Sequence, residues 1–449
     1  MPKPLKALFD VRRSELAPTL LMSGYFFLVI TCFWILKPIK KSLFLEFYRP
    51  GLTLALPGFG LGSAGQLALT AAELELGAKV VNMIVAALAA LVFVGIARRC
   101  RREQLTYVFG ASSLGAFFLF TRFIDAPSAA SVWSFYLFGD LFNMLMVASF
   151  FAYLNDIVSS SVARRIYAFV VLGGVIGGVF GSTVVKARIS VFSTSMWLWI
   201  CCAATFCIMG FALWVSRLKL PVTQHKPEEA EVVVTAGMRT GAAGARVVLG
   251  SRYLQAIACI VAIYEIVSTV MDFQFSATVS HYLEGAAIKE QLASVFLVTN
   301  VVSLLVQLLF TRFVMQELGI RAALSVLPFV VLVVAGGFAI MPLLWVGSSL
   351  SIADNALNYS VNQSARESLY VPASALEKYQ AKAFIDIFVQ RSAKAVGVVL
   401  SFAMSLWIRD DLTAVRYLSL VVVGLSFVWL WLARYAGNRF NELSASPAE

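Results

Sequence analysis

Long apolar runs recur along almost the whole chain and are separated by short polar segments. A segment that crosses a bilayer as a helix needs about 20 predominantly apolar residues. Spans are predicted at 19–38, 76–97, 104–122, 130–154, 167–186, 195–216, 252–275, 291–312, 321–341, 343–363, 383–406 and 412–433. The pattern predicts an all-α membrane protein with about twelve transmembrane helices.

One apolar segment, at 51–72, interrupts this pattern. It is rich in Gly and Pro, which are typical of turns and loops. We predict a loop on the outer side of the membrane here, with a re-entrant segment as the alternative.

The positive charges lie mainly in the short polar segments. The chain has 449 residues, 60% hydrophobic and 14% charged, with a net charge of +11. Soluble domains carry about 25% charged residues, so the composition indicates a polytopic membrane protein. Lys and Arg cluster at 98–102, 164–165, 217–252, 312–321 and 434–439. By the positive-inside rule these segments and both termini are predicted to be cytoplasmic, and no nucleic-acid-binding surface is needed to explain the charge.

The longest polar connection lies between the sixth and seventh spans. We predict an N-terminal six-helix half at 1–216, a cytoplasmic linker at 217–250 and a C-terminal six-helix half at 251–449. A faint repeat agrees with this division, since Ile166-Tyr-Ala-Phe169 opens the fifth span and Ala381-Lys-Ala-Phe384 opens the eleventh. Two parallel, pseudo-repeated halves are typical of a major-facilitator-like fold.

The start of the eleventh span is the most informative candidate site. Lys382, Asp386, Arg391 and Lys394 lie in a segment that otherwise has the composition of a membrane helix. Charges inside a membrane are costly and usually face a water-filled path or a bound substrate. Three cations against one carboxylate indicate an anionic cargo.

A second basic group lies at the end of the first span. Lys37, Lys40 and Lys41 share one helix face because they are three and four residues apart. They either form a collar whose side chains reach the lipid headgroups or bind an anion in a transport path. The second interpretation is favoured, because the predicted topology places this end outside, where positive charge is disfavoured.

Carboxylates within the predicted spans are further candidates. Asp140 lies in an aromatic run, Asp272 follows Glu265 by about two helical turns, and Asp354 lies on a polar face of the tenth span. Intramembrane carboxylates are functional candidates. The alternative for each is an ion pair that holds helices together.

The remaining motifs do not indicate catalysis. The glycines from Gly173 to Gly181 form three overlapping G-x-x-x-G pairs, which predict close helix packing, and no Lys-Ser/Thr follows them as in a phosphate-binding loop. His225, His281 and the six cysteines show no spacing typical of a metal site or a disulfide framework. We therefore expect no enzyme activity, no metal site and no cofactor.

The tract around the eleventh span is similar to the family patterns D-P-T-K-E-x-x-Y-I-P and K-A-A-I-D-V-V-x-x-R-x-x-K. The corresponding residues are Arg366, Glu367, Tyr370, Pro372, Lys382, Ala383, Ile385, Asp386, Arg391 and Lys394. Weaker matches are Arg165, Tyr167, Ala168, Leu172 and Gly173 in the fifth span, Lys37 and Lys40 in the first, and Asp140 and Asp272 at acidic positions. In these residues the chain resembles the bacterial and plastid ATP/ADP translocases, also called nucleotide transport proteins. It departs from them at Lys41, where they have Asp, and at Ser276, where they have Lys.

The resemblance implies a nucleotide transporter that exchanges ATP and ADP by alternating access, as a monomer in the bacterial inner membrane. It implies substrate-binding roles for Lys37, Lys40, Asp140, Asp272, Arg366, Lys382, Asp386 and Arg391. The cations would neutralise the phosphates of the nucleotide. The carboxylates would pair with the cations in the empty site, which would favour exchange over uniport.

Two other functions are compatible with these residues. One is a proton-driven permease for another organic anion, in which Asp140 or Asp272 binds the proton. The other is a membrane scaffold or sensor, although a sensor usually carries a soluble output domain. Dependence of uptake on internal nucleotide would favour exchange, and stimulation by a proton gradient would favour the permease.

Overall fold

The computed structural model describes residues 13–55, 66–157, 160–218, 244–372, 375–408 and 411–445. The first helices are α1 Arg13–Phe47, α2 Ala71–Ala97, α3 Arg102–Phe123, α4 Ala129–Ile157, α5 Ser160–Arg188 and α6 Thr194–Arg217. They are followed by α7 Arg252–Tyr282, α8 from Ala286–Leu305 through Thr311–Gln316, α9 Gly319–Ile340, α10 from Leu344–Leu357 through Gln363–Ser368, α11 from Ala375–Phe384 through Gln390–Trp407, and α12 Asp411–Ala445.

The predicted spans are confirmed as helices. Among the described residues, 11 helices are long and apolar enough to cross a membrane. The protein is therefore an integral membrane protein. The predicted span at 343–363 forms as α10, but its first α-helical segment is only 14 residues long. A π-helical turn at Asn358–Asn362 interrupts it.

Similar π-helical turns interrupt α8 at Val306–Phe310 and α11 at Ile385–Val389. A π turn adds a residue to the helical turn and is frequent at functional sites. It also changes the face on which the following residues lie, because the α-helical spacing of 3.6 residues per turn is broken.

The predicted end of the first span is wrong. Helix α1 continues through Pro38 to Phe47, so Lys40 and Lys41 lie inside the helix, where their exposed fractions are 6% and 5%. Proline is tolerated in membrane helices because neighbouring groups satisfy the freed backbone. A basic collar that reaches the headgroups does not fit lysines buried to this extent.

The predicted loop at 51–72 is partly a β-hairpin. Two short antiparallel strands, β1 Leu52–Ala55 and β2 Gln66–Leu69, pair with Leu52 opposite Leu69. Residues 56–65, between the strands, lie outside the described part of the chain.

The chain divides into two compact units. The first comprises Met1–Phe47, Val81–Glu228 and Lys289–Leu297, and the second Tyr48–Val80, Glu229–Ile288 and Val298–Glu449. The half boundaries at 216 and 250, and the linker between them, stay a prediction.

In the first unit, α1 packs closely against the glycines of α5. A Cβ atom added to Gly177 would lie 2.3 Å from the carbonyl oxygen of Phe27, and one added to Gly181 would lie 2.8 Å from that of Thr31. The hydroxyl of Thr31 donates to the carbonyl of Gly177 at 3.2 Å. The predicted packing role of this glycine run is confirmed.

In the second unit, α7 packs against α10, α11 and α12. A Cβ atom added to Gly397 of α11 would lie 2.9 Å from Cβ of Thr269 and 3.1 Å from the carbonyl oxygen of Ile266, both on α7. Side chains near Gly397 on α11 therefore reach the middle of α7 directly.

Candidate functional site

In the first unit, the buried Lys40 of α1 forms an ion pair with Asp140 of α4. The amide of Asn82 on α2 donates to the other oxygen of Asp140 at 2.8 Å. The Lys40 ammonium lies 4.6 Å from the centroid of the Tyr136 ring. Gly139 gives the lysine its room, because a Cβ atom there would lie 2.8 Å from Cδ of Lys40. The structure thus brings two predicted site residues together.

Lys37 lies about one helical turn before Lys40 and has different surroundings. Its ammonium lies 4.6 Å from the ring centroid of Trp34, 4.8 Å from that of Phe296 and 5.7 Å from that of Phe33. Three aromatic rings around one ammonium stabilise the cation and fix its position.

In the second unit, Asp272 of α7 pairs with Lys79 of α2. The Lys79 ammonium is also 3.9 Å from Glu75, one turn earlier on α2. Ser276, which stands at a lysine position of the resembling family, donates instead to the carbonyl of Asp272 at 2.9 Å. A cation next to Asp272 is therefore supplied by another helix.

Sequence reasoning missed Lys79 and Asn82. Both lie within the predicted span at 76–97. The rule that singled out Lys382, that an ionisable residue inside a span is a functional candidate, applies equally to Lys79.

Lys382 pairs with a carboxylate that was not expected. Its ammonium lies 2.6 Å from Glu367 and 5.9 Å from the ring centroid of Tyr370. Asp386 lies close enough to Lys382 and Arg366 for both cations to act on it electrostatically. Tyr370 lies outside the spans. Its burial, and after that the negative charge of Asp386, raise the pKa of its hydroxyl, which therefore stays protonated and neutral.

Arg366 lies over a ring of α7, with its guanidinium carbon 5.6 Å from the centroid of Tyr264. Arg391 lies on an exposed face of α11. Asp354 is buried and accepts a hydrogen bond from Ser268 at 2.7 Å.

Glu265, next to Tyr264, is one of the most buried carboxylates, with 3% of the residue exposed. Lys394 of α11 lies 3.5 Å from one of its oxygens, and the Gln390 amide donates to the other. Lys382 and Asp386 precede the end of the π turn, whereas Gln390 and Lys394 follow it. The turn therefore lies between two lysines with different partners, Lys382 with Glu367 before it and Lys394 with Glu265 after it.

Comparison with known proteins bears on this tract. The family model described as TLC ATP/ADP transporter matches residues 334–440. That range includes α10, α11 and the residues from Arg366 to Lys394, on which the sequence resemblance mainly rests.

The relatives that the chain matches over most or part of its length are ADP,ATP carrier proteins. The chain is 21% identical over 359 residues to the chloroplastic ADP,ATP carrier protein 2 of Arabidopsis thaliana, covering 72% of this chain and 57% of that protein. It is 23% identical over 217 residues to ADP,ATP carrier protein 2 of Chlamydia pneumoniae, covering 43% and 40% respectively. The chain thus spans less than two thirds of the length of these relatives. The resemblance found in the sequence is confirmed.

Solved structures share the fold. The nucleoside transporter NupG aligns with a TM-score of 0.61 at 13% identity, over 96% of this chain and 99% of that one. A POT family transporter in complex with 5-aminolevulinic acid aligns with a TM-score of 0.59 at 10% identity, over 92% and 96%. These likenesses show the fold, and the predicted all-α, major-facilitator-like class is confirmed.

Proposed function

We propose that this protein exchanges nucleotides, ATP against ADP, across a membrane by alternating access. The observation that carries the proposal is that the residues matched by the ATP/ADP transporter model contain the cationic tract from Arg366 to Lys394. The relatives are named as ADP,ATP carrier proteins, which supports the same substrate pair. In this proposal the nucleotide is cargo, and no bond in it is broken.

The ion pairs give a physical reason for exchange. Lys40 pairs with Asp140, and Lys382 with Glu367. A phosphate group can replace a carboxylate as the partner of a lysine, because both are oxyanions. When the nucleotide leaves, the lysine returns to its carboxylate. Since the empty protein is stabilised by these pairs, it changes conformation slowly until another nucleotide binds.

We also propose the bacterial inner membrane as the location, cytoplasmic termini and a monomeric state. The basic segment at 98–102 offers a test of the topology, because it contains Cys100. A thiol reagent that does not cross membranes should label Cys100 in inside-out vesicles and leave it unlabelled in intact cells. Labelling in intact cells would reverse the proposed orientation.

The function is tested by uptake of labelled ATP into proteoliposomes that contain the purified protein and are either loaded with ADP or empty. Exchange predicts uptake into loaded vesicles alone. Lys40→Gln should reduce this uptake, whereas Lys289→Gln should not, because Lys289 forms a more exposed pair with Glu46 at 3.4 Å. Absence of ATP uptake in both vesicle types, with correctly inserted protein, would refute nucleotide exchange.

A further inference from the structure

Glu265 and Lys394 form an ion pair whose partners differ in accessibility. The side chain of Glu265 is 4% exposed, whereas that of Lys394 is 46% exposed. Lys394 lies within a membrane span, where an exposed ammonium faces a water-filled path more favourably than lipid. An anion in such a path reaches the lysine and not the carboxylate.

The third member of this cluster is Gln390. Its amide donates to Oε1 of Glu265, whereas the Lys394 ammonium pairs with Oε2. If Lys394 turned towards another anion, Glu265 would keep this hydrogen bond, so its carboxylate would not be left without any donor. The close approach of α7 and α11 at Gly397 holds Gln390 and Glu265 within reach of each other.

The first unit contains a cluster of the same composition. Asp140 has one lysine, Lys40, and one carboxamide, Asn82, as partners. The two clusters differ in exposure, because the Lys40 side chain is only 7% exposed. Lys394 is therefore the more accessible of the two lysines to an incoming anion.

We propose that Glu265 is a positioning residue that holds Lys394 in the empty protein and releases it to a phosphate group of the nucleotide. Glu265 itself does not contact the substrate. This inference rests on the proposed function and adds to it a further ion pair, Glu265 with Lys394, that stabilises the empty carrier. Lys394 cannot pair with Glu265 and with a phosphate at full strength at the same time. Nucleotide binding therefore competes with the ion pair between Lys394 and Glu265.

Because of this competition, the two single variants should change the KM for ATP in opposite directions. Glu265→Gln keeps the side-chain volume but removes the carboxylate that competes for Lys394. We expect the KM for ATP to fall about fivefold and uptake into empty vesicles to become measurable. Lys394→Gln removes the phosphate partner, so the KM should rise about fivefold or more. A purely structural ion pair would not separate the two variants in this way.

The test measures ATP uptake by wild type, E265Q and K394Q in loaded and empty proteoliposomes. Glu290→Gln is the matched control, because it removes one negative charge from an exposed residue of α8. The hydrogen bond from Ser294 goes to the backbone carbonyl of Glu290 at 2.6 Å, so the substitution leaves its acceptor in place. The KM of this control and its requirement for internal ADP should equal those of wild type.

A KM that rises in both E265Q and K394Q, or a K394Q protein with the wild-type KM, would overturn the inference while leaving nucleotide exchange intact. An E265Q protein that keeps the wild-type KM and still requires internal ADP would do the same. If E265Q does not reach the membrane, the KM of K394Q decides. Absence of exchange in the wild type would instead refute the proposed function.

Discussion

The ammonium of Lys79 pairs with the carboxylate of Asp272, although 193 residues separate them in the chain. Asp272 was a candidate from its place in a membrane span, but its cation comes from α2. The pair is partly accessible, with 22% of the lysine side chain and 37% of the aspartate side chain exposed. This partial exposure fits an ion pair whose members change partners better than it fits a permanent buried ion pair.

On the proposed exchange of ATP against ADP, replacing Lys79 by Gln should impair uptake about as much as Asp272→Asn does, because either change breaks the same pair. The cost in stability should be small, about 1 kcal/mol, since partly exposed pairs contribute little. Transport and thermal unfolding in detergent would be measured together. Arg439→Gln, which breaks an exposed pair with Glu442, should leave transport unchanged. Full activity of Lys79→Gln would remove the pair from the transport cycle.

Reversing the charge of Lys382 should abolish ATP binding while leaving membrane insertion intact. In Lys382→Glu the new carboxylate would face Glu367. Like charges at close range cost several kcal/mol, so the affinity for ATP should fall by more than tenfold. Binding is measured by the ATP-dependent rise in the unfolding temperature, and insertion by the amount of protein in the membrane fraction. A normal response to ATP in Lys382→Glu would exclude Lys382 from the site.

The aromatic rings around Lys37 should matter for its position. Phe296→Leu keeps an apolar side chain but removes a ring 4.8 Å from the ammonium. We expect a higher KM for ATP, by about two- to fivefold, because a cation–π contact is worth ~0.5–1 kcal/mol. Phe313→Leu is the control, since Phe313 is an exposed phenylalanine on α8. Equal KM values for the two variants would contradict a positioning role for Phe296.

The contact between α1 and α5 should tolerate no side chain at Gly177. Gly177→Val places Cβ within 2.3 Å of a backbone carbonyl, and overpacking of this kind costs about 1–3 kcal/mol or more. The unfolding temperature and the yield of monodisperse protein should both fall. Gly95→Val is the matched control on α2, where a Cβ atom meets nothing within 4 Å. Equal unfolding temperatures of the two variants would show that the close contact between α1 and α5 at Gly177 does not contribute to stability.

Several parts of this arrangement were accessible from the sequence. The glycines spaced four apart from Gly173 predicted a close helix contact, and α1 packs there. The candidates Lys40 and Asp140 were named separately, and the structure joins them. The partner of Lys382 was not found, because Asp386, four residues later, is the nearest choice on an unbroken α-helix. The π turn at Ile385–Val389 removes that regular spacing.

The sequence by itself determined the fold class and the positions of the spans. Transfer of a segment into lipid depends on its own composition, so the apolar runs suffice. Only the tertiary structure decided which charges meet. Lys79 with Asp272, Lys382 with Glu367, and Lys394 with Glu265 are ion pairs between separate helices or helix segments. Coulomb attraction acts over a few ångströms of space, and helix packing sets that distance independently of separation along the chain.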